Sequence, residues 1–418
     1  MSDYDVVIVG ARCAGSATAL ELARRGHDVL VVDRARFPSN TLSTHYIQQR
    51  GASKLAEWGL LERLEAAGAP PIPGNRWVVD GIEVAGTPPP AAHTASAIGP
   101  RRPLLDGTLV SAAREAGAEV REGFTVTDLR RAGDRVVGLT GTDADGESVD
   151  VDADLVVGAD GRYSFVANAV EAATVHEQPV HTCVYFAYYG GVDLEVQEIH
   201  AIRDLGVAVF PTDGGLVNVS MSRPHERFAE IRGDVAGTFE ADLARLPAVE
   251  DLLAGGERVS PYWGTGDLPN YLREAWGPGW ALVGDAVHHK DPLLAQGISD
   301  AFEQASALAA AIDAGLGGER PLEAALADYA AGLERHLPMF ELNARLAQLE
   351  VDGATRTLFG ALAASRRNAD RFLGTIGGTV PVAEFWDESN LRRMVLRTKA
   401  KQVGQRVMGA VRGRSPSS

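Results

Sequence analysis

Cysteine is nearly absent: Cys13 and Cys183 are the only two among 418 residues. Placed on what read as unrelated elements, they argue against a disulfide framework and against a cysteine metal site, and no metal is expected. Lysine is almost as scarce. Only four of the 40 cationic side chains are lysine, at positions 54, 290, 399 and 401, so an ammonium kept at Lys290 stands out. Long apolar runs are missing too, and none reaches the ~20 residues that cross a bilayer. The start, Met1-Ser-Asp-Tyr-Asp5, passes directly into the short run Val6 to Val9 without a basic or extended apolar leader, which predicts a cytoplasmic protein. Positive charge is in deficit overall. A net charge of −16 and a pI near 5.1 match a nucleic-acid backbone poorly, so nucleic acid is not an expected partner. The exception is the end of the chain, where residues 391 to 418 hold eight basic side chains and no acid. With Met394, Val395 and Val403 interspersed, this reads as a helix covering the body, or as an arm docking on an acidic partner.

At 45% hydrophobic, the chain can build one large or two medium domains around a real core. The most informative stretch is the first 34 residues. Val6 to Val9 predicts a strand, Gly10-Ala11-Arg12-Cys13-Ala14-Gly15 a tight turn, the Ala-rich stretch after it a helix, and Val29 to Asp33 a second strand. Gly10 permits the turn, Gly15 lets helix and strand pack closely, and the helix N-terminus offers free N–H groups to a pyrophosphate. Asp33, followed by Arg34, would accept hydrogen bonds from a ribose and repel a 2′-phosphate, which selects the ADP half of FAD or NAD over NADP. Arg12 replaces the usual middle glycine of the turn, so its guanidinium either clamps the cofactor or faces solvent. Cys13 stands where a thiol can be acidified, or is simply a small buried filler.

Further along, Ser53 to Ala67 and Leu104 to Ala116 read as helices around the proline-rich loop at Gly86 to Ala92. Glu119 to Leu129 and Arg135 to Thr140 read as strands, with turn chemistry at Asp143 to Gly146. A buried strand at Leu155 to Gly158 runs into Asp160-Gly161-Arg-Tyr-Ser164. Residues 180 to 265 alternate like strands and are rich in aromatics. Trp280 to Asp285 reads as one more strand ending in Gly284-Asp285, with a long helix from about Ile298. The expected fold is α/β: a Rossmann-like, doubly wound, discontinuous nucleotide domain (1–75, 101–172, 271–345) with an inserted β-sheet substrate domain (76–100, 173–270) and C-terminal helices (346–418).

Three motifs in this order resemble those of FAD-dependent aromatic hydroxylases of the para-hydroxybenzoate hydroxylase type: the glycine turn with Asp33, Asp160-Gly161-Arg-Tyr-Ser164, and Gly284-Asp285-Ala-Val-His-His-Lys-Asp-Pro292. The resemblance covers about residues 3 to 345 and implies FAD as cofactor with NAD(P)H as transient co-substrate. It further implies that Asp285 binds the ribityl or pyrophosphate region and that Pro292 sits against the isoalloxazine ring. Arg102 would reach the cofactor, the Val126 backbone would contact adenine, Thr44 and His45 would line the flavin edge, and Ala295, Gly297 and Ile298 would follow the ring into the next helix. Two places depart from the pattern: Pro292-Leu-Leu-Ala295-Gln-Gly297-Ile-Ser299 lacks one glycine and an asparagine, and Ala167 stands where an arginine is common.

The implied activity is NAD(P)H- and O2-dependent oxygenation of an aromatic or other electron-rich apolar molecule through a flavin C4a-hydroperoxide. Water must be kept away from such a site. Tyr185, Tyr189, Phe210 and Trp263 are candidates to line the substrate pocket, and His289 and Lys290, just before Pro292, are candidates for proton traffic and electrostatic control. Flavin halogenases of this scaffold carry G-x-W-x-W-x-I-P, and Gly206-Val-Ala-Val-Phe210-Pro211 has no tryptophan. Isoprenoid reductases carry Tyr-x-Trp-x-Phe-Pro, of which only Phe210-Pro211 is present. Reduction of an apolar unsaturated substrate is the alternative within the fold, and non-catalytic flavin binding the alternative outside enzymology.

Overall fold

A computed structural model describes residues 2–398. The basic segment's continuation beyond residue 398, Lys399 and Lys401 included, lies outside the described residues. Residues 388–398 are helical, and Met394 is buried against Phe372 and Phe385 of the C-terminal cluster.

Four neighbouring parallel pairings build the first eight-stranded sheet. Glu119–Glu122, Val29–Asp33, Tyr4–Val9, Ser148–Gly158 and Trp280–Leu282 lie side by side. Val6, Val7, Ile8, Leu30, Val31, Val32, Leu155, Val156 and Val157 are all essentially inaccessible. Continuous burial of this kind is what helices on both faces impose on parallel strands. Cys13–Arg24 and Gly297–Leu316 pack against each other beside this sheet. The C-terminal ends of the central strands, at Val9, Gly158 and Val283, converge on one edge, the place where open α/β sheets take ligands.

The second eight-stranded sheet is mostly antiparallel. Its order is Glu257–Arg258, Thr182–Gly190, Leu216–Pro224, Leu205–Thr212, Gln197–Ile202, Asn75–Val79 and Ile82–Gly86, with Trp263–Thr265 also on Thr182–Gly190. Asn75–Val79 joins through a parallel pairing with Gln197–Ile202, so the sheet is closed by an early segment. Its outer face is covered by Phe228–Gly233, Val235–Ala244 and Pro247–Leu253, a helical excursion inside the stretch expected to be strands. Its inner face meets the nucleotide domain and the C-terminal helices Leu337–Leu346, Gly353–Ala363 and Arg366–Gly377.

Two expected elements are interrupted, both at glycine. The Ser53 to Ala67 helix is two helices, Gln49–Glu57 and Leu61–Ala66, because Gly59 turns left-handed at φ 75°. The Glu119 to Leu129 strand divides into Glu119–Glu122 and Thr125–Ala132 around Gly123 at φ 73°. Val126 consequently stands near the start of a strand, not late in one, and the Phe124 N–H donates to the Asp33 carbonyl at 2.9 Å.

Candidate functional site

The glycine turn is shaped by contacts that leave no room for side chains. A Cβ on Gly10, whose φ is 103°, would lie 2.5 Å from the Ala159 carbonyl oxygen, and one on Gly15 would strike the Gly10 carbonyl. The helix that follows has no side-chain cap and no acid in its first turn, so its leading N–H groups and positive dipole end are left for an anion. Asp33 braces the turn: its carboxylate accepts from the Ala11 N–H and the Ala35 N–H, both at 2.7 Å. Arg34 is exposed.

Arg12 is held by protein groups. Its guanidinium lies over the Phe37 ring, donates to the Asp106 carboxylate at 2.5 Å and to Ser39 Oγ at 3.1 Å, and thus folds back onto the protein. Asp106, fully buried, also accepts from Arg102 at 2.9 Å and from the Cys13 thiol at 3.4 Å. Burial pushes that thiol up to about 12, and Asp106 adds to the shift; Cys13 is not an acidified nucleophile. Burial works against the charge of Arg102, yet Cys13, Asp106 and Asp285 together keep its pKa above the ordinary arginine value. The negative charge of Asp285 thus lies near enough to Arg102 to favour its cationic form. A Cβ on Gly284 would come 2.6 Å from the Ala14 Cβ, which sets the Gly-Asp loop directly on the first helix.

The Asp160 loop caps itself. Its carboxylate accepts from Ser164 Oγ at 2.5 Å and from the Phe165 N–H at 2.6 Å, and Ser164 in turn caps the Ala167 N–H. Gly161, at φ 80°, borders open space.

The loop from His288 to Ala295 is anchored from below. Lys290 does not reach a cavity; its ammonium is buried against Asp300, which also takes Arg50 and lies 3.4 Å from His336 and 3.9 Å from His288. Burial alone would raise the Asp300 pKa, but Arg50 and Lys290 outweigh it and hold the carboxyl well below its usual range. His289 Nδ1 bonds the Pro269 carbonyl, and its ring lies beside Tyr271. His289 and Lys290 thus secure the loop from beneath. Asp291 accepts from Thr182 Oγ1 at 2.6 Å, and Ala295 is left-handed at φ 51°, which bends the chain into the helix opened by Gly297 and Ile298. That helix also lacks a side-chain cap.

Above the loop lies an apolar cavity in which Thr44, Phe210, Pro292 and Ala295 meet the second sheet and the C-terminal helices. A second space, with Trp263, Tyr188 and Arg101 in its wall, lies on the other side of His45. Phe210 and Trp263 therefore line different cavities. Tyr185 and Tyr189 line neither: they point to the outer face of their strand and pack with Phe239 and Val249 of the helical excursion. Thr182–Gly190 is buried on both faces along nearly its whole length, so hydrophobicity carries no sign of which face looks inward. Phe186 and Tyr188 are the inward aromatics, in contact with Trp263.

His45 forms the partition between the two spaces. It is 1% exposed, sits at φ 48°, and its Nε2 hydrogen-bonds the Tyr188 hydroxyl at 2.8 Å. Its Nδ1 has no partner among the described residues. Burial pushes its pKa down to about 3, so the ring is a neutral donor and acceptor at physiological pH. Positive φ at a non-glycine residue costs of order 1–3 kcal/mol and concentrates at functional sites.

A sequence profile described as FAD binding domain matches residues 3–249, more than half of the chain. The chain belongs to this FAD-binding family. It is an FAD-dependent oxidoreductase with FAD as its cofactor. Its relatives include the tryptophan 2-halogenase of Chondromyces crocatus, 24% identical over 82% of this chain and 69% of the relative. The menaquinone reductase of Mycolicibacterium smegmatis is 28% identical over 72% of this chain and 74% of the relative. Among solved structures, a probable FAD-dependent monooxygenase from Pseudomonas aeruginosa superposes with a TM-score of 0.68 at 21% identity, covering 88% of this chain and 99% of that one.

The residues of this FAD-binding protein fit the cofactor. The uncapped helix beyond Gly10 suits the pyrophosphate, Asp33 the adenosine ribose, Arg102 and Asp285 the middle of the molecule, and the uncapped helix at Gly297 the electron-rich end of the flavin ring. Asp106, Asp300 and Arg50 are absent from the motifs that announce the site, yet they hold it in place. Only Asp106 left a local trace, four residues after Arg102 on one helix face. Among the described residues no helix is long and apolar enough to cross a membrane.

Proposed function

We propose that the chain is an NAD(P)H-dependent monooxygenase that uses O2 to hydroxylate an aromatic or other electron-rich apolar molecule. The observation that carries this reading is the cavity over Pro292 and Ala295: among the described residues no lysine or arginine lines it, and the one carboxylate that does, Glu350, is exposed. Bound FAD supplies hydride acceptance from NAD(P)H and activation of O2. The chain supplies the rest. Pro292, Leu293 and Leu294 exclude water from one side of the cavity, Phe210 and Val184 from the other. Behind Phe210, His45 shares a hydrogen bond with the Tyr188 hydroxyl, and its buried Nδ1 has no partner among the described residues.

Halogenation is less well supported, since Ala208 and Phe210 stand where the halogenase tryptophans would be. Reduction of an apolar unsaturated molecule draws support from the similarity to the menaquinone reductase. The test is a screen of phenolic and apolar substrates with NAD(P)H under 18O2, in matched aerobic, anaerobic and bromide-containing reactions read by mass spectrometry. The hydroxylase reading expects an 18O-labelled product formed only aerobically. An anaerobic gain of two hydrogens, or a brominated product, would replace it.

A further inference from the structure

The cavity floor is a ruled surface, because the inward side chains of four adjacent strands fall into rows set by strand register. Gln197, Phe210 and Asn218 form the first row, with Asn75. Trp77, Ile199, Ala208 and Ser220 form the second. Val79, Ala201, Gly206 and Ser222 form the third. Successive rows on one face are two residues apart, so the three span roughly 13 Å. The first row lies at the His45 end, where Phe210 packs edge-on to His45 and Tyr46. The third lies at the Leu349 end, where a Cβ on Gly206 would meet Leu349 at 3.5 Å and Glu350 opens to solvent.

Two features vary along these rows. Side-chain bulk falls from Phe210 through Ala208 to Gly206, and from Gln197 through Ile199 to Ala201, leaving at the third row a recess over which Leu349 and Leu293 stand. Polarity is concentrated at the His45 end: Gln197 is 6% exposed, lines the cavity, and its side-chain amide has no partner among the described residues, while Thr44 stands nearby on the same cavity wall. An unpaired polar group on a cavity wall becomes costly when an apolar ligand displaces its water, unless the ligand pairs with it. The rows beyond carry only the Trp77 indole N–H, which has no partner, and the small hydroxyls of Ser220 and Ser222, and among the described residues no cationic side chain lines the cavity.

We propose that this cavity selects an elongated, uncharged, largely apolar molecule that reaches across all three rows and carries one hydrogen-bonding oxygen, which Gln197 receives at the His45 end. The proposal deepens the oxidoreductase site described above and concerns what it binds, whichever reaction follows. The test is isothermal titration of the FAD-loaded protein with 4-alkylphenols from methyl to decyl, beside the matching alkylbenzenes that lack the hydroxyl. Affinity is expected to rise by roughly threefold per methylene, then level off at about hexyl to octyl as the third row fills. Ala201→Phe, which blocks the third row, moves the plateau to shorter chains without weakening 4-methylphenol. Gln197→Leu costs roughly tenfold for the phenols and leaves the alkylbenzenes unchanged. Ser222→Leu blocks the same row from the other side should Ala201→Phe fail to fold, and the wild-type series is decisive by itself. Tightest binding by the shortest phenols, a plateau indifferent to both third-row substitutions, or equal effects of Gln197→Leu on both series would overturn the proposal. Chain-length-dependent binding without 18O incorporation would leave this inference intact and remove the hydroxylase reading; hydroxylation of compact phenols without chain-length dependence would do the reverse.

Discussion

The two large sheets use their polar groups in opposite ways. Around the parallel sheet, charged side chains are spent on one another: Asp106 takes Arg12 and Arg102, and Asp300 takes Lys290 and Arg50. What remains for a ligand there is backbone, the leading amides of two uncapped helices. The cavity over the inner face of the antiparallel sheet is nearly all apolar, and two of its few polar groups, the Tyr46 hydroxyl and the Trp77 indole N–H, have no partner among the described residues. One region grips a fixed cofactor through main-chain groups that no substitution can erase. The other reads a substrate through side-chain size, which substitution alters easily.

The sharpest way to break this contrast is to remove a self-neutralising charge. Asp300→Leu leaves Lys290 buried without an anion and Arg50 with Glu303 alone, and about 3–5 kcal/mol of stability should be lost, measured as a lowered urea midpoint. A loss under 1 kcal/mol would mean that the cluster is not desolvated as described. Next, Gly10→Ala forces a left-handed residue against the Ala159 carbonyl. The φ alone costs about 1–2 kcal/mol, and FAD retention after dialysis should fall while the antiparallel sheet keeps its near-ultraviolet dichroism.

The third prediction concerns His45. Unfolded, its imidazole takes a proton below the ordinary value of 6.5; folded, only near 3. Between those values the unfolded state binds the extra proton, so stability falls as pH falls, by up to about 1.4 kcal/mol per pH unit from this one group. His45→Asn, a residue that tolerates positive φ, should flatten the acid limb of a urea-midpoint series from pH 7 to 4, and an unchanged slope would refute the assignment. The smallest effect compares two faces of one strand. Tyr188→Phe removes the bond to His45 and should cost about 1 kcal/mol and lower turnover. Tyr185→Phe removes a buried hydroxyl that has no partner among the described residues, and should change stability by less than about 0.5 kcal/mol with turnover unaltered.

The same contrast explains what could be read from residues alone. The glycine turn, Asp33 and the Gly284-Asp285 loop are legible because backbone geometry dictates their residue types over short spans. Asp300 is not, since its partners come from residues 50, 290 and 336 and meet only in the folded chain. The outward course of Tyr185 and Tyr189 leaves no mark in the residue pattern, because the helices at 228–253 bury the outer side of their strand as completely as the cavity buries the inner one. The helix and strand that broke at Gly59 and Gly123 show how a lone glycine within an otherwise regular pattern is easily passed over.

The parallel pairing of Asn75–Val79 with Gln197–Ile202 bears on how such proteins diversify. Because Trp77 and Val79 belong to an early stretch of polypeptide and Ala201 and Gly206 to a much later one, no single continuous segment can be exchanged between homologues to transplant substrate choice. Chimeras cut at one crossover would inherit a mismatched chamber, so new preferences should arise by point changes scattered over the chain, with partners on both sides of the seam altering together.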